Sequence, residues 1–88
     1  MGAAQTEWEA AYGSHRILVK RNELTRGFYV EVDKMIIAHK NFALLGTGDV
    51  EGAVELDGKR VTVKVKLIVG EGCIVHVDGK QVPVTLVK

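Results

Sequence analysis

Apolar and polar residues alternate along most of this chain, most regularly between Val54 and Val84. Val54-Glu55-Leu56-Asp57-Gly58-Lys59-Arg60-Val61-Thr62-Val63 reappears as Val75-His76-Val77-Asp78-Gly79-Lys80-Gln81-Val82-Pro83-Val84. A period of two sends successive side chains to opposite faces of a strand, so each run reads as strand, turn, strand. Asp-Gly between two such runs predicts a hairpin, because the two-residue turn that matches strand twist needs positive φ at both central positions.

The pairing register follows from the turns. With Asp57-Gly58 as a two-residue loop, Leu56 faces Lys59, Val54 faces Val61, Gly52 faces Val63 and Val50 faces Val65. The opposite face pairs Glu55 with Arg60, Glu51 with Lys64 and Asp49 with Lys66. Opposite charges across strands contribute roughly 0.2–1 kcal/mol each, so a salt ladder is expected to pin this register and solvate this face. In the second hairpin Val77 faces Lys80, Val75 faces Val82 and Cys73 faces Val84, forming the inward set. The other face carries His76, Gln81, Ile74 and Pro83 and is nearly uncharged. Proline lacks an N–H, so the last strand is expected at a sheet edge or bulged there.

Upstream, Glu7–Tyr12 fits a short helix capped by Thr6, but Trp8, Ala10 and Tyr12 also alternate onto one strand face. Gly13-Ser14 breaks the pattern, and His15–Arg21 forms a strand with Ile17 and Val19 on one side. Gly27–Asp33 alternates with Phe28, Val30 and Val32 inward. Asp33-Lys34 is a weaker turn signal than Asp-Gly, since lysine resists positive φ. Met35–His39 and Phe42–Leu45 are two further apolar runs. About eight short strands at near-regular spacing, linked by turns, predict an all-β antiparallel sandwich with hairpin connections. It forms one domain over residues 1–88, with 1–6 expected to be disordered.

Composition narrows the function classes. A chain of 88 residues can bury a core without disulfides or a metal. A net charge of +1 gives no field to attract nucleic acid or an anionic membrane. The single cysteine, Cys73, excludes an internal disulfide and points to a reducing, cytoplasmic setting. No apolar stretch reaches transmembrane length and none resembles a signal peptide. Met1-Gly2-Ala3-Ala4-Gln5-Thr6 fits the N-myristoylation pattern, without a polybasic patch to reinforce it.

Several short motifs occur together in order. Trp8-Glu9-Ala10-Ala11-Tyr12, His15-Arg16-Ile17, Gly27, Val30-Glu31-Val32-Asp33 and Phe42-Ala43-Leu44-Leu45-Gly46 resemble the Fas apoptosis inhibitory molecule family. The similarity continues through Val61–Leu67 and Val77-Asp78-Gly79-Lys80. The resemblance implies a compact β-sandwich and a non-enzymatic cytosolic protein, linked to cell survival and to protection against protein aggregation. It carries over no catalytic residue. Lys34 stands where that family usually has glycine, and the family's members commonly have two such domains where this chain has one.

The remaining candidates for chemistry have simpler readings. Asp33, Asp57 and Asp78 read as turn residues, with no calcium-loop spacing around them. His15, His39 and His76 lie on separate strands without paired cysteines and read as rim or surface residues, not as a metal site. Cys73 reads as inert packing, and Gly46-Thr47-Gly48 lacks the rest of a phosphate loop. The facing acids discount Lys59, Arg60, Lys64 and Lys66 as a nucleic-acid patch. Trp8 reads as a core plug in preference to a sugar-stacking platform.

The expectation is therefore a non-enzymatic protein-interaction module without cofactor or metal. Its candidate edge comprises Ile74, His76, Pro83, Val84 and Leu86, open to a protein partner or to a second copy of the chain. The alternative is a small-ligand domain, for instance for carbohydrate, with Trp8 or Tyr29 lining a cleft.

Overall fold

A computed structural model of the chain describes residues 5–41, 47–68 and 72–87. The described residues form nine strands: β1 (Gln5–Tyr12), β2 (His15–Asn22), β3 (Phe28–Val32), β4 (Met35–Lys40), β5 (Gly48–Leu56), β6 (Lys59–Leu67), β7 (Cys73–Val77), β8 (Lys80–Val82) and β9 (Val84–Leu86). They build two antiparallel sheets, in the orders β4-β3-β2-β1-β9 and β5-β6-β7-β8. This is the sandwich that the alternation predicts. The expected run Phe42–Leu45 and the amino-terminal Gly2 lie outside the described residues.

The inward positions are those expected from the period of two. Trp8, Ala10, Ile17, Val19, Phe28, Val30 and Val32 come from the larger sheet, and Leu56, Val61, Val63, Val65, Leu67, Val75 and Val77 from the smaller. Both sheets thus contribute equally to one core, each fully buried aliphatic side chain supplying roughly 1.5–3 kcal/mol relative to exposure. Glu7–Tyr12 is strand, because β2 and β9 flank it and satisfy its backbone on both sides. β1 begins at Gln5, so Gln5 and Thr6 are ordered against Asn22 and Arg21.

Tight turns gather at one end of the sandwich and the longer connections at the other, as the two up-and-down sheets require. Gly13 takes φ 61° between β1 and β2. The other three turns take positive φ at both central residues: Asp33 and Lys34 at 50° and 73°, Asp57 and Gly58 at 56° and 75°, Asp78 and Gly79 at 50° and 84°. Lys34 thus adopts the conformation that glycine would favour.

Two of these aspartates do more than turn the chain. The Asp33 amide donates to the Arg16 carbonyl at 3.0 Å, and the Arg16 amide donates to Asp33 Oδ1 at 3.1 Å. Asp78 grips Thr62 in the same way, at 2.8 and 2.9 Å. Each carboxylate extends a ladder one step past its last backbone pair, which holds the turn to the neighbouring strand.

The two sides of the sandwich close differently. On one side β4 approaches β5: a Cβ built on Gly52 would stand 2.5 Å from the Ile37 carbonyl oxygen and 3.3 Å from the Ala38 Cβ. A bulge between Val30 and Glu31 of β3 and their partners on β4 helps turn Ile37 toward β5. On the other side a single stretch of chain supplies both edges, β8 for the smaller sheet and β9 for the larger.

Candidate functional site

The β8–β9 side is where the structure departs most from the expected hairpin. Val77–Lys80 and Val75–Val82 pair as the register requires. Val84 does not face Cys73; it pairs with Ala10, and Leu86 pairs with Trp8. Among the described residues Cys73 pairs with Leu67 alone. Pro83 is the physical reason: it cannot donate to a ladder, and its fixed φ interrupts the strand. The chain leaves the smaller sheet there and covers the edge of β1 instead.

The β1–β9 register determines which backbone groups stay open. The Val87 amide donates to the Glu7 carbonyl at 2.8 Å. Hydrogen-bonded and non-hydrogen-bonded pairs alternate in an antiparallel ladder. Thr85 therefore also turns its amide and carbonyl toward β1, while Val84 and Leu86 turn theirs away. Gln81 is in the equivalent position on β8: it stands opposite His76, in the non-hydrogen-bonded step between Lys80 and Val82. Leu86 and Val87 are exposed, at 42% and 46%, and Val84 is half-buried. Pro83 and Thr85 line a shallow hollow with Glu9, Ala10 and Ala11 beside this edge.

The five residues expected to share one edge are thus divided. Pro83, Val84 and Leu86 lie on the sheet-switching strand. Ile74 and His76 lie on the solvent face of the smaller sheet, opposite Lys66 and Lys64. His76 lines a groove of about 450 Å³ there, with Asp49, Glu51, Thr62, Lys64, Lys66 and Gly79. The register of the expected salt ladder is correct in all three charged pairs. Among the described residues, however, none of these pairs forms a salt bridge, so this face is charged without being locked. Exposed side chains give up little by staying hydrated.

The single-residue candidates resolve individually. Trp8 is 2% exposed, which makes it the core plug and removes it as a stacking platform. Tyr29 lies on the outer face of the larger sheet, near Ile36 and His39, with Lys20 Nζ 5.9 Å from its ring centre. Burial pushes the Cys73 thiol up to about 12, so it stays protonated and unreactive near neutral pH. No group of three metal-ligating side chains occurs among the described residues.

One constellation was not visible in the spacing. His15 stands on the inner face of β2, its side chain 14% exposed, at the turn end of the core. Its Nδ1 lies 2.6 Å from Asp33 Oδ2 and its Nε2 lies 3.0 Å from Asp57 Oδ2. These hydrogen bonds, Asp57 foremost, raise the His15 pKa above its ordinary value, and the His15 contact is the main reason Asp33 is lowered. The two carboxylates sit on opposite ring nitrogens, so no single point lies near all three donors as a metal ion would need. The alternation of His15, Ile17, Val19 and Arg21 could have signalled that His15 faces inward. The approach of Asp57 from the other sheet had no local signal.

Arg21 closes the other end of the same row. It is 6% exposed, its guanidinium carbon lies 5.0 Å from the centre of the Trp8 ring, and its Nε donates to Glu23 at 2.6 Å. The Thr6 hydroxyl donates to the same carboxylate at 2.6 Å. That bond, with Arg21 beside it, lowers the Glu23 pKa against the opposing effect of burial.

No known family model matches this chain, and neither a curated protein nor a solved structure matches it.

Proposed function

We propose that this chain is a non-enzymatic protein-interaction module that takes an extended segment of another polypeptide onto the free edge of β9. The observation that carries this reading is the outward-directed backbone of Val84 and Leu86, beside the exposed side chains of Leu86 and Val87. A strand added there would continue the larger sheet and lay its side chains over Leu86. The three-residue length of β9 offers few hydrogen bonds, each contributing roughly 0.5–1.5 kcal/mol net, so binding is weak and reversible. The resemblance to the Fas apoptosis inhibitory molecule family supports the same reading and suggests the role: holding extended, aggregation-prone chains in the cytoplasm. This role requires no cofactor, nucleic acid or membrane.

The test is suppression of aggregation of a chemically unfolded polypeptide, followed by light scattering, with wild type, Leu86→Lys and Leu86→Pro. Proline at 86 removes an amide that points away from β1, so it blocks the edge without breaking the β1–β9 ladder. Both variants should fold and lose the suppression. Suppression retained by folded Leu86→Pro contradicts strand addition at β9. Sedimentation of wild type alone shows whether a second copy occupies the edge, an outcome that would replace the heterologous partner with a homodimer.

A further inference from the structure

His15 is the only described side chain that joins the turns of the two sheets through both of its hydrogen-bonding atoms. Ionised carboxylates only accept hydrogen bonds, so both ring nitrogens must carry a proton for both contacts to form. A neutral imidazole has one proton. It would leave a nitrogen lone pair facing a carboxylate lone pair at one of the two positions.

The two positions are unequal. Asp33 is held independently of His15, since its other oxygen accepts the Arg16 amide and its own amide is tied to the Arg16 carbonyl. Asp57 sits at the tip of the β5–β6 hairpin, its side chain 80% exposed, with His15 as its side-chain partner. That hairpin overhangs its neighbour. Its last pair is Leu56–Lys59, three residues beyond the Thr62 that Asp78 grips. In the other sheet the Tyr12–His15 pair is only one residue beyond Arg16, the residue that Asp33 grips. The extra length carries Asp57 across the end of the core to His15.

We propose that His15 is a proton-operated clasp: protonated, it ties the β5–β6 tip to the β3–β4 turn, and deprotonated, it keeps Asp33, releases Asp57 and lets the tip lift from the core. Other charged or titratable groups stand on the packed elements. From β2, Arg16 is engaged with Glu9. Lys34 and Lys59 stand in or beside the two turns and are exposed. Tyr12 of β1 stands directly opposite His15. Lifting the tip uncovers Leu56, which is buried in the clasped state. The clasp is independent of the β9 edge.

The direction of the pH effect follows from the two shifts. His15 is raised from 6.5, so its contribution is complete below that value and is lost as pH rises through the folded-state value. Asp33 is lowered from 3.8, so its contribution is present above that value and is lost on further acidification. The clasp is therefore tightest between these two ordinary values and opens on the alkaline side.

The test is an NMR titration of the imidazoles together with amide exchange at Leu56 and Lys59. His15 should show both N–H groups at pH 5.5 and titrate above the ordinary imidazole value of 6.5, and protection of the tip amides, taken relative to the intrinsic exchange rate at each pH, should fall across the His15 midpoint. Asp57→Asn preserves the turn, since Asn-Gly suits it at least as well as Asp-Gly. It should lower the His15 midpoint and leave the tip amides weakly protected on both sides of the wild-type midpoint, whereas Asp78→Asn should change neither. A His15 midpoint at or below the ordinary imidazole value of 6.5, or tip protection insensitive to Asp57→Asn, overturns the proposal.

Discussion

The inward-facing row of β2 runs His15, Ile17, Val19, Arg21, and its two charged members close opposite ends of one core about 20 Å apart. The arginine end is buried, and its carboxylate partner, Glu23, is fixed by Thr6 as well. The histidine end is more open, is shared between two sheets and depends on a proton. The same strand position, at the rim of an apolar layer, thus gives a permanent plug at one end and a titratable clasp at the other. What differs is the side chain itself and whether its partners lie in one sheet or two.

The largest effect that separates the ends is expected from Arg21→Ala. It removes a buried stem and breaks the Glu23 ion pair, at a cost of about 2–3 kcal/mol in urea unfolding. This is below the 3–5 kcal/mol typical of a fully buried pair because Glu23 still reaches water. Arg21→Met, which keeps the stem, should cost less, and an equal loss in both variants would mean that the charge and not the packing closes that end. A second effect is read at Cys73, whose buried thiol, pushed up to about 12, should react slowly with iodoacetamide at pH 8 in the wild type. Arg21→Ala should raise that rate by opening the loop end, while His15→Gln should leave it unchanged.

A smaller change is expected at the turn end. Lys34→Gly relieves a left-handed lysine at φ 73° and should stabilise the fold by about 1 kcal/mol, visible as a higher melting temperature. The smallest effect is one of slope alone. Between pH 6 and pH 8.5 the melting temperature of wild type should fall further than that of His15→Gln. Arg21→Met should retain the wild-type slope, because it leaves His15 and its two carboxylate partners in place.

The alternation and Asp-Gly turns made the two-sheet class and the β5–β6 register legible down to individual pairs. They carry local information, and a two-residue turn determines everything paired beside it. Pro83 was legible as a break and as a mark of an edge. Nothing near it says that Val84 and Leu86 would seek Trp8 and Ala10 of the first strand, because the gain from covering that edge is a property of the whole sandwich. The charged pairs were legible as neighbours but not as unclosed, since hydration competes with each contact. Asp33-Lys34 read as a weak turn because lysine disfavours positive φ. The structure makes the turn regardless, held by the double grip of Asp33 on Arg16.

Amide hydrogen exchange at Val84, Thr85, Leu86 and Val87 in dilute, monomeric protein tests the functional account most directly. The account predicts alternation, with Thr85 and Val87 protected by β1 and Val84 and Leu86 exchanging freely until an extended chain occupies the edge. Val84 and Leu86 as protected as Thr85 in the free monomer would show that the edge is already covered, and would contradict it.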